Sequence, residues 1–147
     1  MITAIVTGAS GNMGQAVVKK FLAEGYHVVG TIIPNDPVPF DNDDAKLEKV
    51  IVDLMNEDDS AKFVQSVIKK HGTVDTVVLT VGGFAIGKIA DTKTSDIYKQ
   101  YKLNFETAYN VARPAFVQMM QQGSGRIFII GSRPGIREIH NNGRFAY

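Results

Sequence analysis

The 147 residues contain no cysteine. Disulfides, thiolate metal sites and cysteine nucleophiles are thereby excluded, and the composition fits a reducing compartment. Long apolar runs are also missing: none approaches the roughly 20 residues that a membrane helix needs. The opening "MITAIVTG" lacks the charged start and extended apolar stretch of a secretory leader. Charge of one sign is equally scarce. Sixteen Lys and Arg stand against fifteen Asp and Glu, for a net +1, and no basic stripe is available to neutralise the phosphates of a nucleic acid. These absences lead us to expect a soluble cytoplasmic chain that binds neither membrane nor nucleic acid. Repeats, low-complexity tracts and domain linkers are lacking too. The stretch "IPNDPVPFDNDD" is a connection of a length that fits within one domain, so residues 1–147 are assigned as a single domain.

What is present is an ordinary balance, 44% apolar and 21% charged residues, arranged in regular alternation. Ile2 to Thr7 is a β-rich run closed by glycine. Val17, Val18, Phe21 and Leu22 follow on one helical face, ending at Gly25. His27 to Ile33 reads as a second strand, and Val50 to Val52 as the centre of a third. A helix carrying Phe63, Val64, Val67 and Ile68 is predicted next, capped by Asp59 or Ser60 and closed by Gly72. Val77 to Val81 is the fourth strand and Arg126 to Ile130 the fifth. Between them Tyr101, Phe105, Ala108, Ala112, Ala115, Phe116 and Met119 share a stripe, so a long helix is expected over 95–121, bent at Pro114. Near-continuous apolar strands separated by helices imply a parallel sheet covered on both faces. The class is α/β, a doubly wound parallel sheet.

The first turn, "VTGASGNMGQAVV", places Gly8, Gly11 and Gly14 between a strand and a helix. Small residues there let the backbone turn sharply and let an anion approach the amides of a helix N-terminus. A tight turn without a ligand would use the same glycines. Thr7-Gly8-Ala9-Ser10-Gly11-Asn12-Met13-Gly14 resembles the Thr-Gly-x-x-x-Gly-x-Gly fingerprint of the short-chain dehydrogenase/reductase superfamily. Its middle glycine falls on Asn12, a residue type that tolerates left-handed backbone angles. The resemblance implies cofactor contacts from Gly8, Ser10, Asn12, Met13 and Gly14. It also implies that Asp53 and the backbone of Leu54 hold an adenine ring, although a strand-end turn would equally use an aspartate there.

After the fourth strand the family's Asn-Asn-Ala-Gly becomes Leu79-Thr80-Val81-Gly82. Val81 and Gly82 keep the cofactor-facing places, while support for the central sheet must be made by other groups. The segment "VDTVVLTVGGF" is also similar to dihydropteridine reductases, a divergent branch. Asn104 matches the long-helix asparagine that holds a water in a proton relay; the residues alone also allow a cap on a neighbouring backbone group.

Ser132, after "GRIFIIG", resembles the strand-end serine that orients a carbonyl oxygen. The family tyrosine commonly stands where Phe145 falls, and a loop two residues longer brings Tyr147 into register as proton donor. The lysine that should follow four residues later lies past the end of the chain, so the resemblance implies truncation after the fifth strand. A nearby ammonium lowers the tyrosine pKa from about 10, which makes proton exchange feasible near neutrality.

The implied activity is hydride transfer between NAD or NADP and a small carbonyl or alcohol, in a homo-oligomer. The end of the second strand, at Ile32, offers neither an acid for a ribose diol nor a base for a 2′-phosphate. Asp36 would serve only if its loop folds back. Two alternatives stand beside this reading: an enzyme of dihydropteridine reductase type, and a non-catalytic dinucleotide-binding or regulatory protein. His27, His71 and His140 are assigned no metal or catalytic role, because no converging carboxylate accompanies them in the sequence.

Overall fold

A computed structural model describes residues 2–131 and the backbone of residues 144–146. Five parallel strands form the central sheet: β1 (Thr3–Thr7), β2 (His27–Ile32), β3 (Leu47–Ile51), β4 (Thr76–Leu79) and β6 (Arg126–Ile129), in the order β3-β2-β1-β4-β6. The register sets Ile5 opposite Val29 on one side and Val77 on the other, so the three innermost strands carry their apolar residues at matched heights. Helix α1 (Asn12–Ala23) links β1 to β2, and α2 (Glu57–His71) links β3 to β4.

Alternation along each strand divides the core in two. Ile5, Val29, Val77 and Leu79 pack with Phe63, Val64 and Val67 of α2 and with Val111, Ala115 and Met119 of a later helix. Val6 and Val28 face the other way, onto Ala9 and Val18. Both faces of the central strands are therefore buried, which is why they read as near-continuous apolar runs.

The long helix after β4 forms as α3 (Thr94–Tyr101), a π-helical turn (Lys102–Glu106) and α4 (Thr107–Gln122). Pro114 lies inside α4, and the departure from regular winding falls instead on the five residues centred at Asn104. The buried stripe is Thr107, Val111, Ala115 and Met119. Tyr101 and Phe105, expected in the core, are exposed and stack with Tyr109, at 5.0 and 5.9 Å between successive centroids. Phe116 is exposed as well. The apolar band is thus wider than the face that meets the sheet.

Helix α2 begins earlier than expected. Asn56 is its N-cap, its side chain accepting from the Asp59 amide at 3.1 Å. Glu57, Asp58 and Asp59 fill the first turn, where carboxylates suit the positive end of the helix dipole. Two short strands escape the sequence pattern: β5 (Ile86–Lys88) and β7 (Arg144–Ala146) pair antiparallel, Gly87 opposite Phe145.

Candidate functional site

The strand order reverses at β1 and β4, and there the turns leaving both strands meet. Gly8 has φ of 62°, a left-handed conformation, and a Cβ on it would stand 3.1 Å from Val81 Cγ2 and 3.3 Å from Thr80 Oγ1. Gly14 is needed for a different reason: a Cβ there would lie 2.0 Å from the Gly8 carbonyl oxygen, so α1 rests directly on the turn. Gly11 is the N-cap of α1 with φ of −67°, has no side-chain cap, and is followed by no acidic residue in the first turn. The positive end of α1 is thus left to whatever approaches it. Asn12 is already helical, and among the described residues Asn35 is the one non-glycine residue with positive φ, so the exchange at Asn12 demands no left-handed backbone.

Threonines fasten this region. The Thr31 hydroxyl accepts from the Gly8 amide at 3.2 Å, and the Thr31 carbonyl from the Ala9 amide at 2.8 Å. Thr80 donates twice to Thr7. The Thr80 amide donates to Thr7 Oγ1 at 3.1 Å, and Thr80 Oγ1 donates to the Thr7 carbonyl at 2.6 Å. Threonine in place of the family's asparagine therefore joins the ends of β1 and β4 by its own hydroxyl.

Asn104 performs a comparable service from the π-helical turn. Its Oδ1 accepts from the Gly83 amide at 2.8 Å, while Nδ2 donates to Gln100, 3.0 Å from the carbonyl and 3.2 Å from Oε1. A Cβ on Gly82 would come within 2.9 Å of the same Oδ1. The helix thereby holds the turn after β4, and irregular winding at functional positions is a recurring use of π-turns.

A cavity of about 250 Å³ occupies the crevice, with Gly8, Ser10, Asp53, Leu54, Val81 and Gly82 in its wall. Six sequence-predicted positions are thus brought together. Asn12 and Met13 lie beside it on the exposed first turn of α1, and Gly14 lies buried beneath it. Leu103 and Thr107, not foreseen, complete the wall from the long helix. Asp53 Oδ1 accepts from the Met55 amide at 3.0 Å, so its side chain shapes the strand-end turn as well as facing the cavity. The Leu54 carbonyl is taken by Asn110 Nδ2 at 3.0 Å. A wider depression, about 560 Å³, lies between α2 and α4 and includes no residue of the strand ends.

The loop after β2 does fold back. Ser10 Oγ donates to the Asp36 carboxylate, and Gln15 Nε2 donates to the Ser10 and Pro39 carbonyls at 2.6 and 3.2 Å. Asp36 lines the cavity, and the bonds from Ser10 and from the Val38 amide hold its carboxyl below the usual aspartate range. Ser132 and Tyr147 lie outside the described residues.

At the opposite, N-terminal edge of the sheet the structure corrects one expectation. His27 and His71 do meet a carboxylate, that of Glu48 in β3. Pairing of β2 with β3 and the return of α2 bring together residues far apart in sequence.

A parallel sheet with a glycine turn at the point of strand reversal defines a Rossmann-type dinucleotide-binding fold. The short chain dehydrogenase family matches residues 2–147, and this chain belongs to that family. An acetoacetyl-CoA reductase from Acinetobacter sp. (strain RA3849) is 29% identical over 147 residues, covering 91% of this chain and 57% of the relative. The structure of ElxO with NADP bound superposes with a TM-score of 0.86 at 24% identity, covering 94% of this chain and 58% of that one. A short chain dehydrogenase from Leptospira borgpetersenii serovar Hardjo-bovis (strain JB197) with bound NAD+ gives 0.83 at 17% identity, covering 94% and 54%. The chain therefore spans a little over half the length of the proteins it resembles. Among the described residues no helix is long and apolar enough to cross a membrane.

Proposed function

We propose that this chain is the dinucleotide-binding part of an NAD(P)-dependent oxidoreductase acting on a small carbonyl or alcohol. The observation that carries this reading is the crevice itself. An uncapped helix N-terminus, a glycine turn with no room for a Cβ and an Asn104-held second turn converge on one cavity. This is the cradle a dinucleotide needs: amides and a helix dipole for the diphosphate, and bare backbone where its atoms come close.

Gly8, Ser10 and the first turn of α1, with Asn12 and Met13, would hold the diphosphate. Asp53 and the Leu54 amide would bound the adenine, and Val81 and Gly82 would pass beneath the nicotinamide ribose. Asp36 points to NAD, since a carboxylate accepts two hydrogen bonds from a ribose diol and repels a 2′-phosphate. When bound, the nicotinamide supplies or accepts the hydride. Ser132 would donate a hydrogen bond to the carbonyl oxygen and Tyr147 would pass it a proton. Asn104 Oδ1 keeps a second lone pair for a water of the proton relay. The carbonyl class is supported by the name of the acetoacetyl-CoA reductase relative.

The test is Tyr147→Phe in the full-length protein, with turnover of small ketones and of quinonoid dihydropterin followed through NADH absorbance. We expect ketone turnover to fall by a factor of at least about 100, as loss of a proton donor does, with NADH affinity unchanged within twofold. Turnover of dihydropterin alone would favour the pteridine branch. Wild-type protein that binds NADH and reduces neither substrate class would overturn the enzymatic reading.

A further inference from the structure

His27 opens β2, Glu48 lies in β3, and His71 closes α2, so three elements converge on one point at the edge of the sheet away from the crevice. Their ligating atoms all lie within 4.8 Å of one another. His27 Nε2 is 2.7 Å from Glu48 Oε1, and His71 Nε2 is 3.1 Å from the same oxygen. The two rings lie against each other, 4.5 Å between centroids. The His71 side chain is nine-tenths buried, and its Nε2 lies 3.1 Å from the carboxylate oxygen without completing a well-formed hydrogen bond. A buried polar nitrogen without a well-formed hydrogen bond is costly, so one that lies beside a carboxylate and a second imidazole calls for a partner.

We propose that His27, Glu48 and His71 bind a divalent transition-metal ion of the zinc class. Two imidazole nitrogens and one carboxylate oxygen suit Zn2+ and its borderline neighbours, whereas Mg2+ and Ca2+ favour all-oxygen shells. The two nitrogen–oxygen separations, 2.7 and 3.1 Å, need to open by about 0.7 and 0.3 Å. Donors around a tetrahedral ion with bonds of about 2.0–2.1 Å stand roughly 3.4 Å apart. Glu48 Oε2 is held by Lys70 Nζ at 2.8 Å, the kind of outer hydrogen bond that orients a ligating carboxylate. Three protein ligands leave the fourth position to water. Lying at the N-terminal edge of the strands, the ion would pin the end of α2 to β2 and β3 and take no part in hydride transfer.

Isothermal titration of the full-length protein with ZnCl2, and with MgCl2 as the contrast, tests the site. We expect saturable one-to-one uptake of Zn2+, a rise in melting temperature with Zn2+ and none with Mg2+. Affinity should weaken at least tenfold in His71→Gln and in Glu48→Gln. Because either variant could fail to fold, 15N NMR of the wild-type histidine side chains gives a second readout. Zn2+ should shift the ring nitrogens of His27 and His71 and leave those of His140 in place. Absence of saturable uptake, uptake undiminished in a folded His71→Gln, or shifts confined to His140 would overturn the proposal.

Discussion

Gly14 and Gly11 sit three residues apart in one turn, yet their substitution should give different results. A Cβ at position 14 would press to 2.0 Å from a backbone oxygen and 2.8 Å from Ala9 Cα, atoms that cannot step aside without moving β1 or α1. Overpacking of that kind should cost about 3 kcal/mol, so Gly14→Ala should lower the urea midpoint strongly. At Gly11 the nearest atom is 3.4 Å away and φ is ordinary, so Gly11→Ala should lose less than about 1 kcal/mol. Equal losses would show that the turn is not packed as described. Asp36 offers a test of the cofactor. Its carboxyl is held below the usual range, so it stays ionised at neutral pH and loses its charge only when pH falls through that lowered value. The Asp36 contribution to a preference for NADH should therefore be fully present at neutral pH and fade only in acid, as the carboxylate is protonated. Asp36→Ala should shift the ratio of the two affinities toward NADPH by about tenfold or more, roughly 1.4 kcal/mol, measured by calorimetry. A ratio unmoved by the substitution would remove Asp36 from the site.

At the scale of elements, the Thr7 and Thr80 pair bears on how the crevice stays open. Thr80→Val keeps the shape and deletes the donor to the Thr7 carbonyl, leaving the ends of β1 and β4 joined by one side-chain bond fewer. The loss should be about 1–2 kcal/mol in chemical denaturation, with dinucleotide affinity falling alongside. Thr80→Ser, which retains the hydroxyl, should recover most of both. The fastening illustrates which features a sequence displays. The five parallel strands and the helices between them were legible because burial on both faces writes apolar runs, and helical faces write a period near 3.6. The glycine turn was legible because only glycine fits at positions 8 and 14. The Asn56 cap was missed because four consecutive residues from Asn56 to Asp59 are all capping or first-turn types. The π-turn, β5 and β7, the Thr80 bond and the fold-back of Asp36 involve partners 21 to 73 residues away, and no local period encodes such pairings. The histidine cluster was invisible for the same reason. Glu48 lies 21 residues from His27 and meets it only through strand register.

At the scale of the whole molecule, the side of the sheet beyond β6 bears on behaviour in solution. Among the described residues β6 pairs with β4 alone, leaving a row of backbone groups open on its other side. Phe128 and Ile129 are 48% and 68% exposed, and Phe116, Val117 and Met120 of α4 are exposed nearby. Tyr109, Ala112, Phe116, Val117, Ile127 and Ile129 line a shallow apolar depression of about 370 Å³ there. An unpaired edge next to a contiguous apolar surface is a template for association. A net charge of +1 supplies little repulsion against it. The 147-residue chain expressed alone should therefore self-associate in sedimentation velocity at concentrations on the order of 10 μM, a range in which exposed strand edges aggregate. Phe128→Lys combined with Ile129→Lys places two charges on the open edge strand and should return a monomer. Because both side chains are well exposed, the double variant should cost no more than about 1 kcal/mol of folding stability. Persistence of the oligomer in a folded double variant would move the contact elsewhere, to the stacked Tyr101, Phe105 and Tyr109 ladder on the same long helix. A wild-type chain that stays monomeric throughout would show that this side needs no cover.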